Sequence, residues 1–353
     1  DDEAAPRNTQ NPEEQMPSEI LQKIKSRAAK DPRRILLVET QDERIIRGAV
    51  QIAQEGFAKA VLMGDPDELA GAIKEAGGRP DDFQYVCIDR GHVSEFADIF
   101  FEKRKHKGIS RADAERAVSD PIFYAAMLLR AGDVDGMVAG SASPSAQVVR
   151  AAILCIGPRP GLKTISSCFL MIVPLKHLGV DGVMLFSDCA VVPEPTVEQL
   201  VDITLESADS WRLFAETEPV VAVLSFSTKS STHHALSEKA VAVVEEVRRR
   251  APDLAIDGEL QADAALIPDV AARKCPDSPV GGRANVLIFP DLNTGNVGCK
   301  LAERCSGGRG IGPLLQGLAK PVSDLSRGCR AEDIADVAAL TALQALATSN
   351  QSK

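Results

Sequence analysis

The chain has 353 residues, of which 44% are hydrophobic and 25% are charged, a composition typical of a soluble globular protein rather than a disordered or membrane protein. Its formal net charge of -10 disfavours a nucleic-acid or anionic-membrane partner, because the average surface would repel both. A chain of this length exceeds one hydrophobic core of ordinary size, so two domains are expected.

Polar residues dominate the start of the chain, which reads DDEAAPRNTQNPEEQ and has no large aliphatic side chain. Such a segment buries little apolar surface, so residues 1–16 are predicted to form a flexible tail. The N-terminus also lacks the basic and apolar regions of a signal peptide, and no apolar run reaches transmembrane length. A cytoplasmic protein is therefore expected.

Eight cysteines are spread along the chain without a CxxC pair. This pattern favours free thiols in a reducing compartment over a disulfide framework or a zinc site. No other spacing of ligand residues calls for a metal ion, and no metal site is predicted.

Short apolar runs alternate with helical patterns from about Ile20 onward. The first four runs predict strands at Ile35–Val38, Ala60–Gly64, Tyr85–Ile88 and Asp135–Gly140. Helical patterns separate the runs, and this βαβα order predicts a parallel sheet covered by helices on both faces.

The middle of the chain keeps this order, with four more strands predicted within TISSCFLMIVP, GVMLFSDCAV, VVAVLSFST and ANVLIFPDL. Clusters of glycine and proline at Gly157–Gly161 and Gly307–Pro313 flank the block and are interpreted as hinges between two domains. The predicted fold class is α/β with two doubly wound domains. Residues 17–160 and 313–353 form the first domain in this prediction, and residues 161–312 form the second.

The segment SDLSRGCRAED, residues 323–333, places a hydroxyl, two guanidiniums and a carboxylate around one glycine. A helix predicted from about Ala331 to Ala347 follows it, and its apolar spacing predicts that it packs back on the first domain. The glycine permits a tight turn, the helix start offers free N–H groups, and Arg327 can grip an oxyanion with its planar fork. These groups predict a phosphate site with a candidate base, Asp333, beside it.

Each candidate residue also has a structural alternative. Asp333 in the first turn of a helix is typical of a cap or dipole partner, and Ser326 is typical of a turn in which the hydroxyl bonds the backbone. Arg104 lies in the basic run EKRKHKG, typical of a solvated surface, and Arg150 ends a helical pattern whose dipole it would complement. Cys329 is a candidate nucleophile, because a helix start lowers the pKa of a thiol.

Five longer runs stand out, namely RKHKG, DGMVAGSASPSAQVVR, LFSDCAVVPEPTVEQL, DLAIDGELQADAALIP and IGPLLQGLAKPVSDLSRGC. They resemble the phosphate acetyltransferase family, and the resemblance extends from about Ile35 to the C-terminal helix. It implies reversible transfer of acetyl between acetyl phosphate and coenzyme A in a ternary complex, without an acetyl-enzyme. It also implies a fold like that of the isocitrate and isopropylmalate dehydrogenases, an active cleft between two domains, and a homodimer.

The resemblance assigns roles to five residues. Ser326, Arg327 and Asp333 match the family's catalytic segment, and Arg104 and Arg150 match two further anion-binding arginines. In these roles Asp333 takes the proton of the coenzyme A thiol, Ser326 hydrogen-bonds the tetrahedral intermediate and Arg327 stabilises developing charge, while Arg150 and Arg104 hold phosphate. The expected ligands are coenzyme A, acetyl-CoA, acetyl phosphate and inorganic phosphate, with no cofactor besides these substrates.

Two segments depart from the family pattern and bear on specificity. Val192–Pro195 and Ser143–Ser145 replace the residues usual there, and both are expected to face the cleft. A changed acyl pocket leaves butyryl transfer, as in the phosphate butyryltransferases, as an alternative activity. A second alternative is a module that senses acetyl-CoA without turnover. The retention of Ser326, Arg327 and Asp333 argues against this alternative.

Overall fold

The computed structural model describes residues 19–351, and the predicted tail at residues 1–16 lies outside this range. The strands are β1 Arg34–Leu37, β2 Lys59–Met63, β3 Gln84–Val86, β4 Gly136–Ala139, β5 Ser166–Ile172, β6 Val183–Ser187, β7 Val220–Leu224, β8 Ala255–Leu260, β9 Val286–Ile288, β10 Arg309–Gln316 and β11 Val322–Asp324. The α-helices are α1 Glu19–Ala28, α2 Glu43–Glu55, α3 Pro66–Glu75, α4 Arg90–Arg104, α5 Arg111–Val118, α6 Pro121–Ala131, α7 Ser145–Ala151, α8 Val197–Ala215, α9 Ala235–Arg250, α10 Ala262–Leu266, α11 Pro268–Lys274, α12 Leu292–Ser306 and α13 Ala331–Gln351.

The strands form one mixed sheet in the order β3-β2-β1-β4-β11-β10-β5-β6-β9-β7-β8. The first five strands in this order are parallel to one another, and so are the last four. Between the two parallel blocks, β10 and β5 run antiparallel to their neighbours. The prediction of an α/β fold with two doubly wound halves is confirmed. The residue boundaries of two domains stay a prediction, because the sheet continues across them.

Side chains alternate between the two faces of the sheet, because successive residues of a strand point in opposite directions. In β1, Ile35 and Leu37 belong to the core formed with α1, α2 and α13, whereas Leu36 belongs to the core under α4 to α7. In the other half, α8 and α9 cover the first face, and α10 to α12 cover the second. Both faces are buried, which explains the continuous apolar runs in the sequence.

The C-terminal helix, α13, packs against α1 and α2 as predicted. Ile334, Val337 and Leu340 are buried in this contact. Gly48 of α2 permits the close approach, since a Cβ at that position would come within 2.9 Å of Ile334 Cγ2.

The stretch Gly307–Pro313, interpreted above as a hinge, is mostly strand. β10 begins at Arg309 and pairs with β5 along most of its length. The glycines permit close packing here, since a Cβ at Gly308 would come 2.5 Å from the carbonyl oxygen of Ile172. The role of this stretch as a hinge between two domains stays a prediction.

Strands β1, β4 and β11 end at one edge of the sheet, because they are parallel and adjacent. The register places Leu37 beside Val138 and Asp324 beside Ala139. Since β10 is antiparallel to β11, Arg309 at its start lies at the same edge. The loops that follow β1, β4 and β11 therefore meet at the carboxyl edge, where open α/β sheets usually bind ligands.

Candidate functional site

Glu39, just after β1, organises the loop after β4. Its buried carboxylate accepts hydrogen bonds from the backbone N–H groups of Gly140 (2.6 Å), Ser141 (2.7 Å), Ala142 (3.2 Å) and Ser143 (2.7 Å). These charge-assisted bonds satisfy N–H groups that a tight turn leaves without partners. Residues 140–144 are called the β4 loop below, and α7 starts directly after it.

Arg44, near the start of α2, ties the β4 loop to residues 325–330, called the β11 loop below. Its Nη1 donates to the carbonyl oxygens of Arg327 (2.9 Å) and Cys329 (2.8 Å), and its Nη2 donates to the carbonyl oxygen of Ser141 (3.0 Å). Asp42 accepts a further 2.6 Å bond from Nη2 and also caps α2. The Arg44 guanidinium is therefore a structural clamp between the two loops.

Ser326 and Arg327 are exposed on the β11 loop. The Ser326 hydroxyl accepts a 3.3 Å hydrogen bond from the N–H of Gly328. Arg44 holds the carbonyl of Arg327, whereas the Arg327 guanidinium has no bonding partner among residues 19–351. A fixed backbone that carries a free guanidinium is well suited to binding an oxyanion.

Asp333 caps α13, as its structural alternative predicted, and also pairs with an arginine. Its carboxylate accepts a 2.9 Å hydrogen bond from the Arg330 N–H and a 2.6 Å bond from Nη2 of Arg309. Burial by itself would raise the pKa of Asp333, but the Arg330 N–H and the Arg309 guanidinium hold this pKa below its ordinary value. The carboxylate is anionic at neutral pH, and both of its oxygens already have donors.

A chain of alternating charges extends from Asp333 into the core. Arg309 also donates a 2.7 Å bond to Asp336, and Lys25 of α1 pairs with Asp336 (3.0 Å) and with Glu55 at the end of α2 (2.9 Å). These contacts anchor the start of α13 to β10, α1 and α2. Asp333 is the end of this network that lies nearest the β11 loop.

Arg150 lies on α7, which packs against β11, so its helix stands beside the β11 loop. Its side chain is exposed and has no bonding partner in the described part of the chain. Arg104 ends α4, where its neighbour Lys103 donates to the carbonyl oxygens of Cys155 and Ile156, beyond the end of α7. No described contact joins Arg104 to the β11 loop, and the anion-binding roles of both arginines stay predictions.

The two segments that depart from the family pattern lie at different places. Ser143–Ser145 spans the end of the β4 loop and the start of α7, beside the β11 loop. Val192–Pro195 follows β6, whose direction is opposite to that of β11, so this segment lies toward the other edge of the sheet. The sheet therefore brings the first segment, rather than the second, to the candidate site.

Cys329 is buried in the β11 loop, with 8% of its surface exposed. Burial raises the pKa of its thiol to about 11, although the charge of Arg44 acts in the other direction. The predicted lowering of this pKa by the helix start is wrong, because the side chain is packed into the core. A protonated thiol is a poor nucleophile, so Cys329 is not suited to covalent catalysis.

Other parts of the described chain show no competing site. Within residues 19–351, no three His, Cys, Asp or Glu side chains are arranged to hold a metal ion. None of the described helices is long and apolar enough to span a bilayer. A cavity of about 390 Å³, lined by Arg159, Glu206 and Gln316 among others, lies near the end of β10, at the edge opposite the β11 loop.

Comparison with known proteins identifies the family. The chain matches the family described as Phosphate acetyl/butaryl transferase over residues 19–342. It is 42% identical to the phosphate acetyltransferase of Clostridium acetobutylicum over 328 residues, which cover 93% of this chain and 98% of that protein. It is 43% identical to the phosphate acetyltransferase of Treponema pallidum over 333 residues, 92% of this chain and 98% of that protein.

Comparison with solved structures supports the same family. A phosphotransacetylase from Streptococcus pyogenes superposes with a TM-score of 0.85 at 36% sequence identity. The superposition covers 93% of this chain and 98% of the other. The chain belongs to the phosphate acetyl/butaryl transferase family.

Proposed function

We propose that this protein is an acyltransferase that moves an acetyl group reversibly between acetyl phosphate and coenzyme A. The observation that carries the proposal is the β11 loop at the carboxyl edge of the sheet. There an exposed Ser326 hydroxyl and an Arg327 guanidinium without a partner among residues 19–351 precede the anionic Asp333. Family membership and the relatives' shared activity support the same conclusion.

The chemistry needs groups that this loop supplies. A base takes the proton of the coenzyme A thiol, and the thiolate sulfur attacks the carbonyl carbon of acetyl phosphate. Negative charge builds on the carbonyl oxygen, the C–O bond to phosphate then breaks, and phosphate leaves with the electron pair. We assign proton transfer to Asp333, hydrogen bonding of the intermediate to Ser326, and charge stabilisation to Arg327.

The remaining features of the proposal concern binding and assembly. Arg150 and Arg104 hold the phosphate group, so that acetyl phosphate and coenzyme A are oriented together before the reaction. No cofactor other than the two substrates takes part. The enzyme acts in the cytoplasm as a homodimer. A mass measurement in solution tests the dimer.

A coupled spectrophotometric assay tests the proposed function directly. Acetyl phosphate, propionyl phosphate and butyryl phosphate are each supplied with coenzyme A, and kcat/KM is compared. The proposal expects acetyl phosphate to be the best substrate. A higher kcat/KM with butyryl phosphate would identify a butyryltransferase instead, and tight binding of acetyl-CoA without turnover would identify a sensing module.

Replacing Cys329 by alanine is expected to leave kcat within about threefold of the wild type, because the thiol is protonated and acetyl passes directly between the substrates. The measurement is kcat with acetyl phosphate and coenzyme A, together with circular dichroism to verify folding. Cys305→Ala, at an exposed cysteine, is the matched control. A loss of several orders of magnitude in a folded Cys329→Ala protein would instead indicate an acetyl-cysteine intermediate.

A further inference from the structure

Asp324 is the last residue of β11 and stands two residues before Ser326. Its side chain is completely buried, and neither carboxyl oxygen has a hydrogen-bond donor in good geometry within residues 19–351. Buried polar groups are nearly always paired, and the charged form of an unpaired carboxyl is strongly disfavoured. The surroundings of Asp324 therefore favour an uncharged acid directly beside the candidate site.

The β4 loop packs directly on this carboxyl group. Gly140 has a φ of 104°, and a Cβ at this position would overlap Asp324 Oδ1 and come 2.9 Å from the Leu325 nitrogen. The carboxyl of Asp324 thus fills the space that a side chain at position 140 would need. It touches the first residue of the β4 loop while its own backbone leads into the β11 loop.

A second acidic group, Glu39, shares this small region with Asp324. The Glu39 carboxylate accepts hydrogen bonds from four backbone N–H groups of the β4 loop. Burial raises the pKa of Asp324 to about 7, the nearby Ser145 hydroxyl and Leu325 N–H lower it in part, and the charge of Glu39 raises it again.

Charged groups on the neighbouring elements are engaged elsewhere. On α2, Arg44 bonds Asp42 and three backbone carbonyls. On α13, Asp333 bonds Arg309. On α7, Arg150 is exposed. The charge of Arg44 acts on Glu39, but no described cation bonds the carboxyl group of Asp324.

We infer that Asp324 is a positioning residue which, as an uncharged acid, seats the β4 loop against the β11 loop and so aligns the anion-binding groups of both. The inference rests on the proposed function and adds to it a residue that none of the assigned roles includes. Ionisation would place a second negative charge beside Glu39 in one buried space and partly separate the loops. Because α7 follows the β4 loop, the separation would move Arg150 away from Arg327 and weaken the binding of acetyl phosphate.

The expected size of the effect follows from the fraction of enzyme in the aligned state. Arg44 ties the two loops together in either state, but only the protonated form of Asp324 keeps them aligned for acetyl phosphate, so apparent affinity scales with the protonated fraction. With a pKa of about 7, that fraction falls roughly tenfold between pH 6 and pH 8. The value of kcat/KM for acetyl phosphate should fall by about the same factor, chiefly through KM.

The test compares the wild type with Asp324→Asn, which has the shape of the protonated acid but cannot ionise. The expected kcat/KM of Asp324→Asn is within about threefold of the wild type at pH 6. Relative to that variant, kcat/KM of the wild type should fall about tenfold by pH 8. Titration of the coenzyme A thiol affects both proteins equally, so it cancels in this comparison. An equal pH profile in the two proteins would overturn the inference, and so would a folded Asp324→Asn protein that is inactive at pH 6.

A second measurement separates this inference from the proposed function. Calorimetry with inorganic phosphate from pH 6 to pH 8 needs no turnover, so it tests Asp324 even in a protein without acetyltransferase activity. Binding that weakens in the wild type relative to Asp324→Asn supports the inference, whereas parallel curves contradict it.

Thermal unfolding provides an independent readout on the same two proteins. The pKa of Asp324 is raised in the folded state, so the wild type binds more protons when folded than when unfolded. It should lose stability relative to Asp324→Asn as pH rises from about 4 to about 7. A constant difference in melting temperature across this range would contradict a protonated Asp324.

Discussion

Replacing Arg327 by glutamine is expected to lower kcat for acetyl transfer by about 10² to 10³-fold, the usual effect of removing one group that stabilises charge in the transition state. The structure indicates that this substitution leaves the loop conformation unchanged. The guanidinium is exposed and bonds none of the described residues, and Arg44 holds the loop through the backbone carbonyl of residue 327, which the substitution leaves in place. The melting temperature should therefore stay close to that of the wild type.

Arg116→Gln is the matched control, because it removes the same charge from an exposed helix far along the chain from the β11 loop. Arg327→Lys adds a further comparison, since lysine keeps the charge but not the planar fork and should recover only part of the activity. An Arg327→Gln protein with nearly full kcat would remove Arg327 from the catalytic site.

Replacing Asp333 by asparagine is expected to lower kcat by about 10² to 10⁴-fold, the range typical of the loss of a general base. Stability should fall only modestly, because the asparagine oxygen can still accept the hydrogen bond that caps α13. The measurement pairs steady-state kinetics with thermal unfolding.

Asp336→Asn is the control for Asp333, since it also removes a carboxylate that bonds Arg309. Asp336 is more deeply buried and pairs with Lys25 as well. Compared with Asp333→Asn, Asp336→Asn should therefore lower the stability more and kcat far less. If the two variants lost kcat to the same degree, the effect of Asp333 would be structural rather than chemical.

The pH profile offers a second test of Asp333. Its pKa is held below the ordinary value, so the active carboxylate persists as pH falls until that low pKa is reached. Arg309→Gln removes one cause of the low pKa, so the acid limb of kcat should move to higher pH. An unchanged acid limb would show that another group controls it.

Much of the fold could be predicted from local sequence pattern. Apolar runs such as Ile35–Val38 and Ala60–Gly64 form strands, because a strand buried on both faces needs continuous hydrophobic residues. The motif SDLSRGC indicated the β11 loop, since a hydroxyl, a guanidinium and a glycine before a helix form a characteristic anion-binding combination. These features involve residues adjacent in the chain.

Prediction failed where distant contacts decide the structure. The glycine-rich start of β10 carries no strand pattern in the sequence, but pairing with β5 makes it a strand. Cys329 follows a pattern that lowers a thiol pKa, but packing of the β11 loop buries it and raises the pKa. β11 has only three residues and carries no strand signal in the sequence, because its strand conformation depends on β4 and β10.

The sequence alone determined the fold class, the family and the segment that carries the candidate chemistry, since each is encoded by periodicity or by a contiguous motif. Tertiary structure decided the rest: the clamp by Arg44, the turn held by Glu39, the pairing of Asp333 with Arg309 and the isolation of Asp324. The partners in these contacts lie far apart in the chain. Their charges and pKa values are set by burial and by neighbours that meet only when the strands align at one edge of the sheet.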